Sequence, residues 1–185
     1  MIFATGQLGF LRGEPPVPLG ASAGRLAPPS RTPNSVSSQA ALYPEHPQAM
    51  YAAIDPLALV ANENGAAALA RLDKLLQATP GVTVVERQPH YLRAQAETRW
   101  LKFVDDVELL VDEPAGVIHL RSGSRLGRKD FGVNRARMEG IVVFDWAKRY
   151  GEAAVQMGQW LAQGKMTARE DIVEGLETFP DTLNK

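Results

Sequence analysis

Apolar residues recur at two different periods along this chain. Between Asn62 and Gly81 it reads NENGAAALARLDKLLQATPG, with Leu69, Leu72 and Leu76 at helical spacing. That spacing predicts one helix with a single buried stripe, capped by Asn62 or Asn64 and stopped by Pro80-Gly81. Beyond Gly81 the period falls to two. Segments 82–88, 90–103, 104–112 and 116–126 are rich in β-branched and aromatic residues and are separated by turn signals such as Glu113-Pro114-Ala115-Gly116. Short connections imply antiparallel pairing. The expectation is an α+β fold: an antiparallel sheet of about four strands with one face covered by the helix.

Alternation assigns side chains to faces. Leu101, Phe103, Val107, Leu109 and Val111 share a parity and form the expected core face, which also takes Asp105. A carboxylate on that face needs a partner. Trp100, Lys102, Val104, Asp106, Glu108, Leu110 and Asp112 take the opposite face, which is more mixed and expected to be wetter. Folding back across the Glu113–Gly116 turn would bring Arg121 or Arg125 toward Asp105, Asp106 or Glu108.

The flanks lack this regularity. Residues 1–33 form a Pro- and Gly-rich lead in which repeated prolines exclude a helix or a central strand. Its first eleven residues are apolar but too short, and too interrupted by Gly6 and Gly9, to span a membrane, so a frayed or loosely docked arm is expected. After an α+β domain over 34–139, residues 140–185 form an expected tail. It comprises a strand at 140–145, a helix with Tyr150, Ala154, Met157 and Leu161 on one face and Gly164 as its stop, and a short helix near 175–184. An unpaired apolar strand at 140–145 would invite self-association.

Composition narrows the function classes only locally. The formal net charge is −1 over 185 residues, which removes any general bias toward nucleic acid or anionic membranes. The absence of cysteine removes disulfides, thiolate metal sites and a cysteine nucleophile, and with them any cue to redox compartment, so localisation stays open between cytoplasm and membrane periphery. The charge bias sits in RSGSRLGRKDFGVNRAR, where Arg121, Arg125, Arg128, Lys129, Arg135 and Arg137 face Asp130 alone. Arginine forks beside glycines suit a carboxylate, phosphate or sulfate. The candidate ligand-binding set is therefore Arg121, Ser122, Ser124, Arg125, Arg128 and Arg135, with Asn34, Ser37 and Ser38 from the hydroxyl-rich NSVSSQA. The competing reading makes Asp105, Asp106, Glu108 and Asp130 a structural polar network that absorbs the arginines across strands, and makes NSVSSQA a capped turn.

Catalytic motifs do not emerge. No Gly-x-Gly-x-x-Gly follows a strand, and Gly158 and Gly164-Lys165-Met166 lack phosphate-loop spacing. His46, His90 and His119 match neither zinc spacing nor a nucleophile triad, and Ser122 and Ser124 lack the elbow glycines. No cofactor or metal is expected. Asp106 and Glu108 alone are too few oxygen ligands for a hard cation.

Two stretches carry resemblances. GRLAPPSRTPNSVSSQA and HYLRAQAETRWLKFVDDVELLVDEPAGVIHLRSGSRLGRKDFGVNRARME resemble the bacterial domain of unknown function 1499 over roughly residues 8–139. The Pro-Asn-x-Val-Ser-Ser-Gln lead, the Phe-Val-Asp-Asp-Val-Glu strand and the Asp-Phe-Gly-x-Asn-Arg segment follow the family order. The resemblance implies a fold and no reaction. It also implies a hydrophobic segment before the domain, and two lead cysteines at positions held here by Pro29 and Ser35, so no thiol role carries over. Residues 135–185 resemble the C-terminal stretch of medium-chain NADP-dependent reductases of the prostaglandin and curcumin reductase type, which implies a fusion with its seam near Arg135–Gly140. Two function classes follow. One is a non-catalytic module binding an anionic small molecule or protein partner through the arginine-rich strand and loop, without nucleic acid. The other is an oxidoreductase-related chain without its own cofactor domain.

Overall fold

The computed structural model describes residues 8–16, 19–60, 62–145 and 150–165. Their strands form a six-stranded sheet: β1 (Ser35–Ser37), β2 (Leu57–Ala58), β3 (Val82–Gln88), β4 (Tyr91–Glu97), β5 (Val104–Asp112) and β6 (Val117–Ser124). The order is β1-β6-β5-β4-β3 with β2 also on β6, and every pairing is antiparallel. The α+β class holds, with β1 and β2 beyond the strands that periodicity predicts. Both are too short to show a period, and β1 lies in NSVSSQA, where the sequence suggested a capped turn.

The helices are α1 (Ala49–Ala52), α2 (Gly65–Ala78), α3 (Val133–Asp145) and α4 (Tyr150–Ala162). In α2 the Asn64 side chain accepts the Ala67 N–H at 2.8 Å, as a helix cap should. Leu69, Leu72 and Leu76 are buried, as the spacing predicts, and Ala68 joins them. At Gly65 the α2 backbone comes so close to β5 that a Cβ would collide with Val111 Cγ1. Its N–H donates to Glu113 Oε1 at 2.8 Å.

Parity then builds the core. Val107, Leu109 and Val111 of β5, Ile118 and Leu120 of β6 and Leu92, Ala94 and Ala96 of β4 share one face and pack with α2, Val36 and Met138. Leu101 and Phe103, expected on this face, fall outside the strands because β4 ends at Glu97. The opposite face is not wet. Asp106 and Glu108 are 0% exposed, and Leu26 from the Pro-rich lead packs there with Tyr91 and Leu110. Residues 19–33 therefore work as a covering layer, which their lack of periodicity concealed. The Gln39 side chain fixes it, accepting the Leu26 N–H at 2.7 Å and donating to the Gly24 carbonyl at 3.0 Å.

The strand expected at 140–145 is a helix, since these residues continue α3. A short apolar run reads alike for a buried strand and a helix segment, and the turns preceding it decide. Association through a strand edge at 140–145 falls with it. The edge strand β3 carries a register shift between Val84 and Glu86, and the charges of Glu86 and Arg87, features that discourage edge pairing.

Contacts divide the chain into units Met1–Val142 and Val143–Lys185. In the second unit α4 ends near the expected stop, where Gly164 has φ +65° and the Lys165 N–H donates to the Trp160 carbonyl at 2.9 Å. Met157, from the stripe expected there, is exposed. The helix expected near 175–184 and residues 1–7 lie outside the described residues. Among the described residues no helix is long and apolar enough to cross a membrane.

Candidate functional site

The arginine-rich segment begins on β6, and register dictates its partners. Arg121 stands opposite Glu108, and its Nη1 donates to Glu108 Oε2 at 2.6 Å with both side chains almost fully buried. Glu108 Oε1 accepts the Tyr91 hydroxyl at 2.8 Å and the Gly20 N–H of the lead at 2.8 Å. Burial, reinforced by the charge of Glu108, holds the Tyr91 phenol well above its usual pKa. Arg125, just past β6, grips Asp106 with two bonds of 2.7 and 2.9 Å. Its hydrogen bond to Asp106 outweighs burial and raises the guanidinium pKa further. Arg93 of β4 adds a longer contact to Asp106 at 3.7 Å.

A second cluster lies on the helix-covered face. Asp105 is paired by Arg137 of α3 at 2.8 Å, whereas the sequence pointed to Arg121 or Arg125. Asn134 is completely buried at the centre. Its Oδ1 accepts the Ser122 hydroxyl and Arg137 Nη1, and its Nδ2 donates to Ser124 Oγ and Asp130 Oδ2, each at 2.9 Å. Asp130 also accepts the Tyr51 hydroxyl at 2.8 Å and the N–H groups of Gly132 and Asn134 at 3.0 and 3.1 Å. Burial pushes the Asp130 carboxyl up, but these donors prevail and hold it below the usual carboxylate range. The Tyr51 phenol moves up, through burial and then its bond to Asp130.

Of the remaining candidates, Asn34 donates to the carbonyls of Ser124 and Gly127 at 3.2 and 2.9 Å, tying β1 to the loop after β6. Arg135 turns its fork onto the backbone carbonyls of Tyr51 and Ala53. Ser37 Oγ accepts the Gln39 N–H at 3.1 Å. Ser38 leaves this cluster: its Oγ accepts the Leu120 N–H at 2.9 Å and lies 3.2 Å from His119 Nδ1, while His119 Nε2 lies 3.5 Å from Asp112. This chain of Ser, His and Asp joins a strand end. Its Asp112 separation exceeds a hydrogen bond, and the serine oxygen is already held by a backbone donor. Arg128 is exposed and has no carboxylate partner among the described residues.

The structure thus sorts these residues into two clusters on opposite faces of the sheet, Arg121, Arg125, Asp106 and Glu108 on one and Ser122, Ser124, Asp105 and Asp130 on the other, with Asn34 beside the second. An external anion at Arg121 or Arg125 would have to displace a carboxylate already in place. Sequence reasoning overlooked Asn134, Tyr51, Tyr91 and Arg93. Asn134 left one usable trace, as an amide in the first turn of α3 with Arg137 and Met138 three and four residues on, along the same face. Among the described residues no group of three or more His, Asp or Glu is placed to hold a metal ion.

Comparison with known proteins places most of this architecture in a family. The model described as Protein of unknown function (DUF1499) matches residues 25–143. The chain belongs to the DUF1499 family. A Bacillus subtilis (strain 168) protein named for NADP-dependent oxidoreductase activity, YfmJ, is 40% identical over 49 residues, 26% of this chain and 14% of that protein. The chain thus matches a small fraction of that relative's length. No solved structure matches the chain.

Proposed function

We propose that this DUF1499 chain is a binding module that engages an anionic ligand or partner through the loop between β6 and α3, residues 125–132. The observation that carries this reading is the exposure of Arg128 and Lys129, neither with a carboxylate partner among the described residues, on a loop anchored at both ends. Arg125 is clamped to Asp106 on one side, and Asp130 is held by Asn134 and Tyr51 on the other. The buried arginines order the loop, and the exposed cations meet the anion. Calorimetric titration with inorganic polyphosphate tests this. Binding should weaken by roughly a hundred-fold or more in the Arg128→Ala/Lys129→Ala variant, given about 1.5 kcal/mol or more for each of two charge-assisted contacts. No binding by the parent protein, or unchanged affinity in the variant, overturns it.

The match to YfmJ supports a second reading, a chain related to NADP-dependent oxidoreductases. These 185 residues carry no Gly-x-Gly-x-x-Gly after a strand, so this reading needs a nucleotide-binding domain from outside them. Titration of the purified chain with NADPH should give heat if the chain binds the cofactor itself. Silence removes that form of the reading.

A further inference from the structure

The end of the sheet that holds the binding loop also collects exposed apolar side chains. Three connections converge there: the β4–β5 loop, residues 98–103; the segment after β6; and the lead before β1. Their adjacency is fixed by contacts. The Arg125 N–H donates to the Val104 carbonyl at 3.1 Å, and the Asp130 N–H donates to the Pro33 carbonyl at 3.2 Å. Arg12 pairs with Glu97, and Arg125 Nη1 reaches the Gly13 carbonyl. Residues 8–13 therefore lie against the ends of β4 and β6.

Large apolar side chains point outward from each connection. Phe131 is 86% exposed, Leu8 and Phe10 74% each and Trp100 61%, with Leu126 and Val133 less so. Phe131 sits at φ +54°, a conformation that costs a bulky residue energy, and the neighbouring Asp130 bonds hold the turn in it. The core gains nothing from the outward ring. Cations surround these tips: Arg12, Arg31, Arg99, Arg128 and Lys129 are exposed, and Lys102 is partly so. Arg99 lies 4.9 Å from the Trp100 ring centroid and Lys129 5.7 Å from that of Phe131. The carboxylates at this end are fewer. Asp105, Asp106 and Asp130 are buried in pairs, Glu97 is shared by Arg12 and Lys102, and Glu14 is exposed near Arg125.

Aromatic and aliphatic tips ringed by Arg and Lys match the two layers of a lipid interface, acyl boundary and anionic headgroups. A small soluble anion would use only the charges and would leave Trp100 and Phe131 in water. We propose that this end of the sheet docks on the surface of an anionic lipid bilayer, with Phe131, Trp100 and Phe10 entering the headgroup boundary and Arg128, Lys129 and Arg99 meeting the phosphates. The proposal rests on the anion-binding reading of the 125–132 loop and names its partner.

Co-sedimentation of the full chain with phosphatidylglycerol-containing vesicles, against vesicles of phosphatidylcholine alone, tests it. The expected result is binding to the anionic vesicles only. Arg128→Ala/Lys129→Ala should reduce partitioning about 30-fold, at about 1 kcal/mol per cation near the surface. Phe10→Ser/Trp100→Ser, at two tips outside the 125–132 loop, should abolish vesicle binding while leaving polyphosphate affinity and the circular dichroism spectrum unchanged. Retained vesicle binding in that aromatic variant overturns the bilayer assignment and leaves the anion reading standing. Absence of both polyphosphate and vesicle binding ends both. Dimerisation in solution that disappears in the aromatic variant, without vesicle binding, assigns the patch to a second copy and also overturns the proposal.

Discussion

Glu108 shows how a single side chain can be both expensive and necessary. It is 0% exposed, and Arg121, Tyr91 and the Gly20 N–H satisfy it from three directions. Removing two charges from water costs several kcal/mol per ion, so the pair itself need not add net stability. Losing one member is different. Arg121→Met should cost about 3–5 kcal/mol, read from urea midpoints, because Glu108 is left buried and uncompensated. Arg121→Met/Glu108→Leu should recover most of that loss. A double variant as unstable as the single one would show that Glu108 matters through Tyr91 and Gly20 instead. The sequence made a meeting of Arg121 with a β5 carboxylate legible, since alternation and the Glu113–Gly116 turn set the register. It left Arg137 unassigned, because no strand period reaches across to a helix that follows a loop.

Among the elements, α3 depends most on one residue outside it. Asp130 accepts two N–H groups at the helix start and joins α1 through Tyr51. Its carboxyl is held below the usual range, so its contribution is complete above the unfolded value of about 3.9 and fades as pH falls through the lower folded value. Asp130→Asn should lower stability at neutral pH by about 0.5–2 kcal/mol, as lost caps do, and should flatten the acid limb of the stability profile. Thermal melts of both proteins across acid and neutral pH measure this, and an unchanged acid limb would contradict it. The helix was the element least legible in advance. Ile141-Val142-Val143-Phe144 carries strand propensity, and only its continuity with the turn begun at Val133 makes it helical. By contrast α2 and β3, β5 and β6 were readable, because each is long enough to show its period and has a clear cap or turn.

For the whole molecule, the last core residue of the first unit among those whose burial is described is Met138, and the family match ends at residue 143. We expect a chain ending at Asp145 to retain the unfolding midpoint of the full chain within a few degrees, a shift of under about 1 kcal/mol. Differential scanning calorimetry of the two checks it, and a collapse of the transition would mean that residues beyond 145 are integral to the principal core. The dryness of both sheet faces was the largest feature hidden from sequence. Prolines signalled that residues 13–33 form neither helix nor central strand, but not that Leu26 would be 1% exposed beneath them.

The carboxylates of β5 receive their partners from both temporal ends of synthesis. Gly20 has left the ribosome long before Glu108 is made, whereas Arg121, Arg125 and Arg137 follow later. A nascent chain ending anywhere between Asp112 and Arg137 lacks the native partner of at least one β5 carboxylate, which should disfavour premature collapse around that strand. The domain is thereby biased to mature late, after nearly its full length has emerged.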